Sequence, residues 1–594
     1  MFEAIFDSQD LNYKKPFGAV KQKENIEFNI KTNELCDVKL ITKSILGFES
    51  FDLNYISEED NYYKYFLEFD TTNYIGPIYY YFEINNDGEI YYYINNDDTV
   101  GGIGKLDIKK PDFDDSIGQD NKPALFYNVY IHNIKNKVPE WFKTGVSYHI
   151  FVDRFNNEDC SLESVDNSLI EVYGGNLKGI INKLDYLEDL GINIIYLSPI
   201  FEADGFHKYN TGDYEKISGD YGNLEIFKEL IGEIKKRNMY LILDGVFNHS
   251  GSDSKYFNKY GNYDVLGAYQ SKNSKYYSWF KFIEYPNRYE CWEGIDTLPS
   301  YDQENEELLD YFFYNKDSIV NTWLNLGIDG WRLDAADLLS DEYLTHIYNT
   351  VKKNNSNAVI IGELWNDAST FISEKKKKIR TYMCGNEIES VVNYPLHGII
   401  IDYSKGEFTP ATFRKKIYSL IENFPIEHYY ALWNLTGTHD IPRILTILDE
   451  NISHLKMFSA LLMTLPGVPL IYYGDEVGLK GEGDPDNRRP FPWNDMNMDL
   501  YKHFKELISI RLNYDAFKKG SIQFIENDEF LIYERKYEDE TIYTVLNNAD
   551  DKIFNINLIS DSITLKDIQT DEIYDSSNNE IKLEKSSFKI LKKC

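Results

Sequence analysis

Across the middle of the chain, short apolar runs alternate with longer segments in which apolar residues recur at every third or fourth position. The runs are VSYHIFV, INIIYLS, YLILDGV, GWRLDA, AVIIGEL, IESVVNY, YALWNLT and PLIYYG, eight in all. Leu177, Ile180, Ile181, Leu184 and Leu187 form one helical stripe ahead of INIIYLS, and Leu224, Phe227, Leu230, Ile231 and Ile234 form another ahead of YLILDGV. A third, with Val320, Trp323 and Leu324, leads into GWRLDA. Buried strands alternating with helices call for a parallel sheet with right-handed crossovers. The fold class is therefore α/β, and eight such units predict a (β/α)8 TIM barrel over 126–511. That is longer than the roughly 250 residues a barrel needs, so an inserted loop domain is expected in the aromatic, glycine-rich stretch 250–305.

The flanks follow a different rhythm and hold none of the chain's eight tryptophans. IYYYFEI (78–84) and EIYYYI (89–94) are β-branched and aromatic runs separated by Asn85, Asn86, Asp87 and Gly88, a hairpin pattern. FLIYERKY (530–537) and TIYTVLNN (541–548) repeat it behind the barrel. Two β-sandwich domains are expected, 1–125 and 512–594.

Composition narrows the partners. With 97 acidic against 62 basic residues the formal charge is −35, which disfavours nucleic acid and anionic membranes. The five cysteines, Cys36, Cys160, Cys291, Cys384 and Cys594, are scattered and form no CxxC pair. No apolar leader or run of about 18 apolar residues occurs, so a soluble cytoplasmic protein is expected.

Barrel active sites are built at the C-terminal ends of the strands. Here those ends carry Asp244, Asn248 and His249; Arg332 and Asp334; Glu363; and His439 and Asp440. One acid after a strand is an ordinary helix cap. Four converging on one mouth repel each other, which a chain tolerates only with paired cations or for chemistry. A metallohydrolase reading lacks support, because neither a His-x-x-x-His pair nor a multi-carboxylate metal spacing occurs.

DGVFNH, GWRLDAAD, GELW, TGTHD and GVPLIYYGDEVGL stand in the order of the strand-end motifs of glycoside hydrolase family 13, the α-amylase superfamily, which the whole middle segment resembles. With the N-terminal β-domain before SYHIFVDRF, the stretch SPIFEADGFHKYNTGDY, GELWND and GDPDNRRPFPW, the chain resembles the cyclomaltodextrinase, neopullulanase and maltogenic amylase subgroup. That resemblance implies a retaining hydrolase of α-glucan oligosaccharides or cyclodextrins. Asp334 would be the nucleophile, Glu363 the general acid/base, and Asp440 the third carboxylate. His207, Tyr209, His249, Trp365, His439, Asp484 and Arg488 would bind sugar, with Asp244 and Arg332 as supports. It also implies a homodimer, with no required cofactor. A calcium loop matches in part, at Asn157, Asp159 and Asn176, where a hydrated polar loop is the competing reading. Asp337 and Leu338 replace the subgroup's asparagine-glutamate pair, and LPSYD (298–302) replaces its MPKLN. An oligo-1,6-glucosidase, a general α-amylase and a non-catalytic amylase-like binding protein are the alternatives. The last would be expected to lack a catalytic carboxylate.

Overall fold

The computed structural model describes residues 2–96, 99–117, 122–159, 162, 171–373 and 378–594. Its centre is an eight-stranded parallel sheet built from all eight apolar runs: β1 (Ser147–Ile150), β2 (Ile194–Leu197), β3 (Tyr240–Gly245), β4 (Gly330–Leu333), β5 (Val359–Gly362), β6 (Ser390–Val391), β7 (Trp433–Leu435) and β8 (Val468–Tyr472). The order runs β6-β5-β4-β3-β2-β1-β8-β7, and a parallel bridge between Val392 and Trp433 joins its ends into a barrel.

Strand side chains alternate between two layers, as the pleat requires. Tyr196, Ile242, Val359, Ile361, Trp433 and Leu470 fill the barrel interior. Ile195, Leu241, Leu243, Trp331, Leu333 and Ile360 face the surrounding helices. Arg332, between two outward residues, therefore points inward. The helix Leu224–Lys236 is capped by Asn223, whose side chain accepts from the Ile226 N–H, and it buries Phe227, Leu230, Ile231 and Ile234. Leu224 opens that helix on its exposed side. The stripe 177–187 proves to be two helices, Leu177–Ile181 and Leu184–Leu190, interrupted near Lys183.

The N-terminal flank is two sheets packed over Phe6, Phe28, Leu40, Tyr80 and Phe82. Its predicted hairpin pairs Gly76–Asn86 with Glu89–Ile94 through the turn Asp87-Gly88, both at positive φ. The strand Tyr127–His132 pairs with Gly76–Asn86, so this flank's sheet runs past residue 125. Lys14 reaches Glu422 of the barrel at 3.3 Å, with both side chains buried, and Tyr79 Oη donates to Thr370 O at 3.0 Å. The C-terminal flank is a six-stranded and a two-stranded sheet around their own apolar core. Segment 250–305 has little regular structure and buries Phe257, Trp279 and Phe280 in the core shared with the barrel helices. Among the described residues no helix is long and apolar enough to cross a membrane.

Candidate active site

Arg332 organises the barrel mouth. Its Nη1 donates to both oxygens of Asp244, each at 2.9 Å, and to Asp334 Oδ1 at 2.9 Å. Its Nη2 lies 2.8 Å from Glu363 Oε2. Three carboxyls from β3, the end of β4 and the end of β5 thus share one guanidinium. This follows from the pleat, because Arg332 and Asp334 lie two residues apart on the inward face.

Asp244 also accepts from Tyr196 Oη at 2.5 Å and Tyr209 Oη at 2.9 Å. Ala335 holds φ +45°, a left-handed conformation that costs a residue with a Cβ, and its N–H donates to Glu363 Oε2 at 2.9 Å. A second cationic centre stands opposite. Arg488 pairs with Asp484 at 3.0 Å and lies 3.6 Å from Asp440, and its Nε donates to His439 O at 2.9 Å. His439 Nε2 sits 3.2 Å from Asp440 Oδ2, and its Nδ1 is buried without a hydrogen-bond partner among the described residues.

An aromatic shelf borders the carboxylates. The Tyr209 ring stacks on His439 at 4.8 Å and lies 6.0 Å from His207, whose Nδ1 accepts from the Tyr209 N–H. His249 stands beside Trp292 at 5.8 Å. Trp365 is no core residue. It is 49% exposed and stacks on Tyr394 at 4.5 Å, nearly parallel.

Burial sets the electrostatics. It pushes Asp334 well above the usual carboxylate range and Asp244 upward, with the Arg332 charge pulling both back. Asp440 rises to about 7 through burial and the Glu363 charge, against Arg332 and Arg488. Four carboxyls thus crowd around two guanidiniums. His207 and His249 fall to about 4, and His439 falls well below its ordinary value, chiefly by burial. All three rings are neutral at pH 7.

All nine sugar-binding and supporting candidates and the three catalytic ones line or border this mouth, Asp484 from its exposed rim through Arg488. Of the calcium candidates, Asn176 accepts from the Gly179 N–H as a helix cap and Asp159 is exposed; among the described residues no group of three or more His, Cys, Asp or Glu is placed to hold a metal. Sequence reasoning missed Tyr196, Ala335 and Tyr394. For Tyr196 the available signal was a hydroxyl at an inward strand position.

Residues 149–535 match the alpha amylase catalytic domain. The chain is 31% identical to an amylopullulanase of Thermoanaerobacter thermohydrosulfuricus over 98% of its own length but only 44% of that protein's, so it spans less than half of that relative. It is 30% identical to a cyclomaltodextrinase of Thermoanaerobacter pseudethanolicus over 92% of each chain. Among solved structures, the ligand-free cyclic α-maltosyl-(1→6)-maltose hydrolase of Arthrobacter globiformis superposes with a TM-score of 0.67 at 26% identity, covering 77% of this chain and all of that one.

Proposed function

The chain belongs to the α-amylase family of glycoside hydrolases, in the company of cyclomaltodextrinases and neopullulanases, and on that premise we propose that it hydrolyses α-glucosidic bonds with retention. The substrates are cyclodextrins, pullulan and malto-oligosaccharides, cut at α-1,4 bonds and, as a second class, α-1,6 bonds, with transfer to sugar acceptors as a side reaction. The observation that carries this reading is the single guanidinium of Arg332 shared by Asp244, Asp334 and Glu363.

Asp334, with its charge supported by Arg332, attacks the anomeric carbon. Glu363 passes a proton to the departing glycosidic oxygen, and the glycosyl-aspartate forms as that bond breaks. Glu363 then takes a proton from water, which attacks the same carbon and releases Asp334. Two carboxyls on one guanidinium are close enough for the roughly 5–5.5 Å of a retaining pair. Asp440 and the neutral His249 and His439 bind hydroxyls of the cleaved sugar. Tyr209 lies under its C–H face, and Trp365 is the platform on the leaving side. His207, Asp484 and Arg488 complete the sugar site.

We assign residues 1–125, 126–511 and 512–594 as carbohydrate-binding-like and dimerising sandwich, catalytic barrel and terminal sandwich, with the first flank's sheet continuing to His132. A cytoplasmic homodimer is proposed with it. The four described cysteines are free thiols, as a reducing compartment keeps them, whereas Cys160 lies outside the described residues. Initial rates on β-cyclodextrin, maltotriose and soluble starch at equal glucose content test the substrate class. The two small substrates should be faster, and faster starch cleavage would contradict the assignment.

A further inference from the structure

The chain leaves Asp334 through Ala335, held at φ +45°, and a 3-10 turn, Ala336–Leu338, before the helix Asp341–Asn354 begins at its cap Ser340. This turn holds Glu363 twice. The Ala335 N–H donates to Glu363 Oε2 at 2.9 Å, and the Ala336 N–H donates to Glu363 O at 3.2 Å. A residue with a Cβ keeps a left-handed conformation only where its surroundings impose it, and here two side chains remote in sequence do so. Arg380 donates from Nη1 to Asp337 O at 2.7 Å and from Nη2 to Leu339 O, and its Nε donates to Asp341 Oδ1 at 2.8 Å. Gln303, at the end of the 250–305 insertion, takes the carbonyl between them. Its Nε2 donates to Leu338 O at 3.0 Å, while its Oε1 accepts from the Ser340 N–H at 2.8 Å.

The Gln303 amide fits in one orientation, because its nitrogen faces two acceptors, Leu338 O and Asn248 Oδ1 at 3.5 Å, and its oxygen faces a donor. The backbone beside it is anchored: the Tyr301 N–H donates to Asn248 O at 3.0 Å and the Asp302 N–H to Trp279 O at 2.7 Å. We propose that Gln303 is a positioning residue for Glu363, acting through the backbone of 335–340, so that the insertion sets the aim of the proton carrier. The inference rests on the reading of Glu363 as general acid/base. Asp334 is pinned ahead of the turn, by its own N–H to Gly245 O at 3.2 Å and by Arg332 Nη1 at 2.9 Å. A slack turn therefore misplaces Glu363 more than Asp334, and a misplaced proton donor costs most where the leaving group needs the proton.

The test compares kcat/KM on maltotriose, whose leaving sugar must be protonated, with that on a nitrophenyl α-maltoside, whose phenolate departs unaided. It uses the unmodified enzyme, Gln303→Met and Gln303→Glu. Methionine keeps the length and neither hydrogen bond; glutamate keeps the acceptor for Ser340 and turns the donor end into a second acceptor. Each variant should lose about tenfold on maltotriose, the worth of one hydrogen bond, and less than about twofold on the aryl substrate. Equal losses on both substrates, or none, would overturn the assignment, and Gln303→Glu decides if Gln303→Met does not fold. Hydrogen exchange read by mass spectrometry follows the turn without turnover. The backbone amides of 335–340 should exchange at least tenfold faster in both variants while the helix 341–354 is unchanged; parent-like exchange refutes the inference. If the unmodified enzyme cleaves neither substrate, the proposed function fails, and faster exchange in the variants still upholds the control of this turn by Gln303.

Discussion

Arg332 donates to three carboxyls at once, so losing one of them leaves the guanidinium partnered, whereas losing the arginine leaves three buried acids unpaired. Asp334→Ala should therefore fold normally and melt at the parent temperature or slightly above it, since a crowded acid is gone. Its kcat should fall by more than about a thousandfold, roughly 4 kcal/mol of barrier. Azide should restore part of the turnover of an activated α-glucosyl substrate and give the β-glucosyl azide. A variant retaining a tenth of parent activity without azide would remove Asp334 from the chemistry. The charged members of this cluster were legible because each interrupts or ends an apolar run. Tyr196 was not, because a tyrosine inside such a run reads as core until its hydroxyl is seen to reach Asp244 on the neighbouring strand. Ala335 was invisible for another reason: residue type carries no hint of its positive φ.

At the scale of elements, all eight strands were readable from short apolar-rich runs, and the alternation of layers explains which polar residues face inward. The stripe 177–187 read as one helix because both short helices bury the same side, so the apolar period passes through the break at Lys183. The turn after β8, Asp475–Val477, holds Glu476, which accepts from Tyr148 Oη and Tyr186 Oη, each at 2.7 Å. Burial pushes this carboxyl from an ordinary 4.5 up to about 7. The folded state thus holds the proton more tightly than the unfolded chain. Stability from this group is complete below about pH 4.5 and is lost as pH rises towards 7. Glu476→Gln keeps the shape and removes the charge. It should add on the order of 3 kcal/mol at pH 8 and little at pH 4, raising Tm by a few degrees at the higher pH only. An equal Tm offset at both pH values would show that packing, not ionisation, governs the site.

For the molecule as a whole, the three-part division was visible in the change of rhythm at each end of the barrel, while the joints between parts were not. The strand Tyr127–His132 belongs to the N-terminal sheet by pairing with a strand some fifty residues earlier, information that local pattern does not hold. Nor does the sequence join Lys14 to Glu422, 408 residues apart. Lys14→Met should leave Glu422 buried and unpaired, costing about 3–5 kcal/mol, and should separate the N-terminal flank from the barrel as an earlier calorimetric transition. Adding Glu422→Gln should recover much of the loss; a single transition at the parent temperature in Lys14→Met would show that this pair does not couple the two parts. On the proposed reading this architecture serves one reaction, double displacement at Asp334 with Glu363 as proton carrier. The most direct test is the anomer first released from maltotriose or β-cyclodextrin by the unmodified enzyme, followed by proton NMR before mutarotation. The account predicts the α-anomer; the β-anomer would contradict it.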